Sequence, residues 1–237
     1  MAQTARNTRA GRARPALSRE RVMRAAVALA DQSGIDSVSM RRVGQELGVE
    51  AMSLYNHVAN KDALLDAMVE HVGAEVNAEV ADLAAPDPGE DWRGALRARA
   101  LAARQVMLRH PWMPSVLESR ATMSFEVVRY YDGVVAILLA GGFDHDLTHH
   151  SLHALGSRVI GFSQELFDPG EAGGDASEAM LEAMAEHVPH LVGMLAQVAH
   201  TDGPEATLGW CDDQTEFEFG LDVLLDGLER RRAGRGR

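Results

Sequence analysis

Cysteine is nearly absent from this sequence, because Cys211 is the only one among 237 residues. A disulfide within the chain is therefore excluded, and so is a zinc site built on pairs of cysteines. A single thiol suits a protein that works in a reducing compartment, so the sequence favours the cytosol.

Long apolar runs are also missing. No stretch approaches the roughly 18 consecutive apolar residues that a membrane-spanning helix needs. The N-terminal segment is rich in arginine but lacks the apolar core of a secretory signal. We therefore expect a cytoplasmic protein without a membrane segment.

Aromatic residues make up only 5% of the chain, whereas 46% of the chain is hydrophobic, with Ala, Leu, Val and Met supplying most of that apolar mass. These residues favour helices, and no segment shows the alternation of apolar and polar residues that indicates strands. The sequence predicts an all-α protein with a core large enough for one or two domains.

The charge is divided unevenly along the chain. Residues 1–62 carry 10 Lys and Arg against 6 Asp and Glu, whereas residues 63–237 carry 13 against 29, so a net charge of +4 precedes one of −16. A basic head on an acidic body is typical of a DNA-binding protein whose body stays away from the duplex.

The stretch SMRRVGQELGVEAMSLYNHV, from Ser39 to Val58, predicts two short helices joined by a turn. Ser39 is a typical N-cap for a first helix over 40–47, and Gly48 stands where helices commonly end. A second helix is expected over 50–57. Such a pair is the helix-turn-helix pattern, whose second helix enters the DNA major groove. Any small helical hairpin shares the pattern, but the basic segment before it favours DNA binding.

This region resembles the DNA-reading motif of the tetracycline-repressor (TetR) family. The family pattern combines an LGV turn, a Leu-Tyr pair, a His, an Asn/Ser-Lys pair and a Leu-Leu pair. The residues that carry the resemblance are Leu47, Gly48, Val49, Leu54, Tyr55, His57, Asn60, Lys61, Leu64 and Leu65. Further along, RHPWMPSVLESR and a helix ending in LLAGGF resemble the ligand domain of tetracycline-repressor-type proteins.

The resemblance implies a three-helix helix-turn-helix domain followed by a larger helical domain for ligand binding and dimerisation. We expect a basic arm over 1–17, the DNA-binding domain over 18–64, the second domain over 65–230 and a disordered tail over 231–237. The arginines of the arm suit phosphate or minor-groove contacts, although a solubilising tail is an equal alternative. Those arginines are Arg6, Arg9, Arg12 and Arg14.

Helix geometry and the resemblance together suggest DNA-binding roles. Ala51, Met52 and Ser53 begin the second helix, where side chains reach base edges, and Asn56 suits a bidentate contact to adenine. The remaining candidates follow from the family match: Arg41 for a base, Ser39, Tyr55 and Lys61 for phosphates, and His57 for a structural or phosphate contact. Because the family often has an aromatic residue at position 56, the resemblance does not predict the operator sequence.

Flexible methionines and flat aromatic rings near Trp112 suit an adaptable apolar pocket for a small-molecule inducer. Each of these residues could also simply fill the core. The candidates are Met107, Trp112, Met113, Leu117, Met123, Phe125 and Tyr130. The tetracycline repressor holds its metal-bound drug with a His in the stretch that corresponds to the residues just before Met123 here. Residues 116–120 of this sequence contain no His. The inducer is therefore not expected to be a metal-chelated tetracycline.

Two helices carry apolar stripes that suit a four-helix interface between two copies of the chain. Ordinary core packing is the alternative for either helix. The predicted dimer residues are Leu152, Leu155, Val159, Phe162, Phe217, Leu221, Leu224, Leu225 and Leu228.

A row of histidines also stands out, at His145, His149 and His153. Its first and third members would lie roughly 12 Å apart on a helix, too far to bind one ion. We predict no catalytic, cofactor or metal site. The sequence indicates a TetR-type regulator, most simply a repressor, that binds a palindromic operator in double-stranded DNA as a homodimer and is released by an inducer. The alternative is a helical adaptor or metal-binding protein without specific DNA binding.

Overall fold

The computed structural model describes residues 16–161, 186–198 and 213–235, and those residues are helical with short connections. A single 3₁₀ turn, Ile35–Ser37, follows the first helix. The helices are α1 (Arg19–Ser33), α2 (Met40–Leu47), α3 (Ala51–Leu54), α4 (Lys61–Ala81), α5 (Trp92–Arg109), α6 (Met113–Glu118), α7 (Phe125–Ala140), α8 (His145–Gly161), α9 (Pro189–Val198) and α10 (Asp213–Arg235). The all-α fold predicted from the sequence is confirmed.

Local sequence sets where most of these helices begin. Short polar side chains at positions 18, 39, 60, 91 and 124 each accept a hydrogen bond from a backbone N–H of the first turn. Each such bond satisfies a donor that the helix leaves without a partner.

Two expected boundaries differ from the observed ones. The second helix of the DNA-reading motif ends at Leu54 rather than near 57, and residues 55–57 form a turn. The amide of His57 bonds to the carbonyl of Leu54 three residues back, which tightens the chain at this point. The last helix continues to Arg235, five residues past the expected end at 230, so 231–235 are not the disordered tail that we predicted.

One continuous core joins the N-terminal helices to the body. It contains Val22 and Ala26 of α1, Leu54 of α3, Met68 of α4 and Val106 of α5. Helix α4 runs through this core and packs on α1, α5, α6 and α7. Helix α4 therefore connects the N-terminal helices to the body.

A second core fills the body between α5, α7, α8 and α10. Charge pairs on the surface fix α10 against α5: Arg97 Nε lies 2.9 Å from Asp222 Oδ1, and Arg97 also pairs with Glu218. Arg93 pairs with Asp226 one turn further along. No described helix combines the length and the apolar composition needed to cross a membrane.

Candidate nucleic-acid interface and ligand cavity

Two glycines shape the turn between α2 and α3. Gly48 ends α2 in the left-handed conformation, with φ of 66°, which costs glycine little. Gly44 lies where α3 crosses α2, and a Cβ there would stand 3.0 Å from the carbonyl oxygen of Val49. The absence of a side chain at Gly44 lets the two helices approach closely. Leu54 of α3 is fully buried in the core beneath them.

The predicted DNA-binding residues lie on the outer side of this motif. The side chains of Arg41, Met52, Tyr55, Asn56 and Lys61 are exposed. Ala51, Ser53 and His57 are half-buried, and the Ser39 hydroxyl caps α2 by accepting from the amide of Arg42. The exposed group forms one surface of basic, polar and apolar side chains.

An apolar cavity of about 40 Å³ lies between α4, α5, α6 and α7. Four of the seven predicted ligand-binding residues line it: Met107, Met113, Leu117 and Tyr130. The sequence analysis missed its other lining residues, which are Gly73, Val76, Ala103, Glu126, Val127 and Tyr131. Gly73 and Val76 lie on the inward face of α4, and their helical spacing is the signal that could have identified them.

Three predicted ligand-binding residues lie elsewhere. Phe125 is 69% exposed, because Val127 and Tyr130 occupy the inward face of α7. Met123 is 59% exposed and lines a separate, open cleft of about 640 Å³ between α1, α4 and the start of α7. Trp112 is buried outside the cavity. The larger cleft is lined mainly by charged and polar residues, so the smaller cavity fits an apolar ligand better.

The segment before α6 bonds directly to α1. Trp112 Nε1 donates to Asp31 Oδ1 at 2.6 Å, and His110 Nδ1 lies 2.8 Å from the same oxygen. The other ring nitrogen of His110, Nε2, lies 3.2 Å from Glu75 Oε2 on α4. This cluster connects the cavity wall to two helices that reach the DNA-reading motif.

Arg120, just after α6, makes a second connection. Its guanidinium lies 3.1 Å from Asp62 Oδ1 and 3.2 Å from Asp66 Oδ1, both near the beginning of α4. Burial opposes the charge, but the hydrogen bonds to the two carboxylates outweigh it and raise the pKa of Arg120. Helix α6 is thus attached to the N-terminal helices at both of its ends.

Five of the nine predicted dimer residues lie in the interior of a single chain. Leu155, Phe217, Leu221, Leu225 and Leu228 are between 0% and 7% exposed and form the second core of a single chain. These side chains have almost no exposed area with which to contact a partner, because neighbouring helices of the same chain already cover them. Leu152 and Leu224 are half-buried, the side chain of Val159 is outside the described set, and Phe162 lies outside the described residues.

The outward faces of α8 and α10 carry the remaining candidates for an interface. Phe219 is 67% exposed and Val223 is 52% exposed, one turn apart on α10. On α8 the rings of His149 and His153 contact each other edge to face, with centroids 4.7 Å apart. Within the described ranges, no three His, Cys, Asp or Glu side chains are arranged to hold a metal ion.

Comparison with protein-family models gives two matches. Residues 22–68 match the model of bacterial regulatory proteins of the tetR family, and residues 85–232 match the model of the tetracyclin repressor-like C-terminal domain. The first match covers the helix-turn-helix motif and the start of α4. The second covers α5 to α9, most of α10 and eight of the ten cavity-lining residues, whereas Gly73 and Val76 of α4 lie outside both matches.

Individual proteins are similar over most of the chain. The HTH-type transcriptional repressor DrrR1 of Streptomyces coeruleorubidus is 33% identical over 219 residues, which is 91% of this chain and 78% of that protein. A structure from Streptomyces coelicolor A3(2), described as a possible TetR family transcriptional regulator, superposes with a TM-score of 0.71 at 30% identity, covering 90% and 99% of the two chains. ActR of Streptomyces coelicolor in complex with actinorhodin superposes with a TM-score of 0.67 at 26% identity, covering 94% and 100%.

Proposed function

The chain belongs to the TetR family of bacterial transcriptional regulators, and on that premise we propose that it binds a two-fold symmetric operator as a homodimer and is released by a small molecule. Since such a regulator meets chromosomal DNA, it acts in the bacterial cytoplasm. The repressor description of the DrrR1 protein supports repression as the direct effect of binding.

The observation that carries the proposal is the outward surface of α2, α3 and the start of α4. Arg41, Tyr55, Asn56 and Lys61 are exposed there, and none of these side chains has a partner within the described chain. Lys61 and Tyr55 suit phosphates, which fix register, whereas Arg41 and Asn56 suit base edges, which carry sequence information. Ser39, Ala51, Met52, Ser53 and His57 complete the proposed interface.

The small molecule occupies the apolar cavity in this proposal. The present volume of about 40 Å³ is too small for a drug-sized molecule, so the cavity must widen when a ligand binds. The flexible side chains of Met107, Met113 and Leu117 can move aside to allow this. Support comes from the ActR complex, in which a related fold holds actinorhodin.

Opening of the cavity would act on DNA binding through α6. Met113 and Leu117 of α6 line the cavity, while Trp112 and Arg120 connect its two ends to Asp31 and to the start of α4. A ligand that displaces α6 must strain those connections and move α1 and α4. DNA and ligand then favour different conformations, and each weakens the binding of the other by the same factor.

A homodimer formed through the outward faces of α8 and α10 would place two motifs on one duplex. Phe219 and Val223 supply exposed apolar surface for this contact. Two copies of the motif read half-sites one helical turn apart, roughly 34–36 Å.

Selection of bound fragments from random double-stranded DNA tests the proposal. We expect a palindromic consensus, a complex of two chains per site, and an affinity that falls by orders of magnitude between low and moderate salt. Recovery of only random fragments, or a complex with one chain on an asymmetric site, would refute it.

A further inference from the structure

Arg99 lies at the contact between α5 and α7, beside Tyr130 of the cavity wall, and is not itself one of the residues that line the cavity. Its Nη2 donates to the carbonyl oxygen of Tyr130 at 2.8 Å, and its guanidinium carbon stands 4.6 Å from the centre of the Tyr130 ring. Gly133 makes room for this arrangement, because a Cβ there would lie 2.4 Å from Nη2 of Arg99. The guanidinium is therefore held in one place by packing and by a backbone carbonyl.

The positive charge of Arg99 has no acidic partner among the described residues. Its Nε is buried and has no hydrogen-bond acceptor there. Burial lowers the pKa of Arg99, and the only charge interaction it has in the described chain is with the Tyr130 phenol. In contrast, Arg93 and Arg97 of the same helix each pair with carboxylates of α10. A half-buried guanidinium still carries its full charge, so it favours an anion that supplies the missing acceptor.

Arg99 adjoins the cavity through two residues. Ala103 follows it by one helical turn on α5, roughly 6 Å along the axis, and lines the cavity. Tyr130 also lines the cavity, and the guanidinium of Arg99 is stacked on its ring. A ligand that opens the cavity along this wall would reach Arg99, whereas Glu126, the one acidic residue of the lining, is already bound by Asn77 and Arg129.

We propose that the small molecule which releases this regulator carries an acidic group, a carboxylate or an ionised phenol on an aromatic skeleton, and that Arg99 binds that group. The inference rests on the proposed function, because it assigns the chemical class of the same ligand. The apolar cavity holds the ring system, and the buried Nε of Arg99 donates to the anion. Arg99 thereby selects acidic molecules over neutral molecules of the same shape.

Two fluorescent probes with the same ring skeleton test this proposal. One is the anion 1-anilinonaphthalene-8-sulfonate, and the other is its neutral counterpart N-phenyl-1-naphthylamine. In Arg99→Gln we expect the anionic probe to bind at least about tenfold more weakly, as for loss of a charge-assisted hydrogen bond, and the neutral probe to bind within about twofold of the original protein. Arg99→Lys keeps the charge but lacks the Nε–H donor, so it is expected to lose part of the discrimination between the two probes. If Arg99→Gln folds poorly, unchanged discrimination in Arg99→Lys would overturn the proposal.

Two control variants define the site. Arg97→Gln changes the net charge equally but removes an arginine that is already paired, so neither probe should change. Ala103→Phe fills the cavity and should weaken both probes. The proposal is overturned if Arg99→Gln leaves the anionic probe unchanged, if it weakens both probes equally, or if the anionic probe binds Ala103→Phe as before. DNA affinity without probe should be unchanged in Arg99→Gln, so failure of the operator selection and failure of this inference are separate results.

Discussion

The indole Nε1 of Trp112 donates a hydrogen bond of 2.6 Å to Oδ1 of Asp31, and these two residues are 81 positions apart in the chain. Asp31 belongs to the first helix of the DNA-binding domain, whereas Trp112 directly precedes the short helix that lines the ligand cavity. The bond therefore connects the two domains at the place where the proposed ligand signal would cross. Its loss should be felt in DNA binding as well as in stability.

Trp112→Phe tests this coupling. The ring is retained, but the donor to Asp31 is lost, so we expect the free energy of unfolding to fall by about 1–2 kcal/mol. If the closed cavity is the conformation that binds DNA, operator affinity should also fall, by roughly fivefold or more. Denaturant titration measures the free energy of unfolding, and a DNA-binding isotherm measures the operator affinity.

Trp92→Phe is the matched control for that variant. Trp92 Nε1 donates to Glu229 Oε2 at 3.0 Å, a bond of the same kind that lies wholly within the body. A similar loss of stability with unchanged DNA affinity is expected. Equal losses of DNA affinity in the two variants would show that Trp112 acts only through overall stability.

Lys61 and Tyr55 should affect all DNA sequences alike. Both side chains are exposed beside α3 and suit phosphates, which look the same at every base pair. For Lys61→Ala we expect weaker binding to operator and random DNA, and a decrease of about one in the slope of log affinity against log salt concentration. Tyr55→Phe should lower both affinities without changing that slope. A loss confined to the operator would contradict the phosphate assignment.

Asn56 should affect one base position. Its amide can donate to and accept from adenine in the major groove, and it is exposed on the turn after α3. Asn56→Ala is expected to cost about 1–3 kcal/mol on the preferred operator and to remove the preference at one position of each half-site. Repeating the fragment selection with the variant measures this directly. An unchanged consensus would exclude Asn56 from base recognition.

The local features of the fold could be predicted from the sequence because each depends on neighbouring residues. Ser39 caps α2 as expected, and Gly48 ends that helix in the left-handed conformation. The connections between domains could not be predicted in this way. Arg120 and Asp62 are 58 residues apart, and no periodicity indicates that they form a pair.

The apolar stripe of α10 shows a second kind of limit. Its spacing correctly indicates that Leu221 and Leu225 are buried, but an amphipathic stripe does not say what covers it. Helices α5 and α8 of the same chain cover it here, so core packing, which the sequence had left open, is the correct interpretation. Phe219 and Val223, which lie outside that stripe, are the large apolar side chains of α10 that remain exposed among the described residues.

The outward face of α10 provides the last prediction, on dimerisation. Val223→Glu places a charge on exposed apolar surface, so it should lower the free energy of unfolding only slightly. It should, however, produce a monomer. Operator affinity should then fall by roughly a hundredfold or more, because the two linked half-sites are no longer bound together. Val128→Glu, on the exposed side of α7, is the matched control and should remain dimeric. Leu221→Ala should instead lower the free energy of unfolding by about 2–5 kcal/mol, as a buried core residue. Sedimentation velocity and the DNA isotherm give the answer: a Val223→Glu protein that stays dimeric would place the interface on another face.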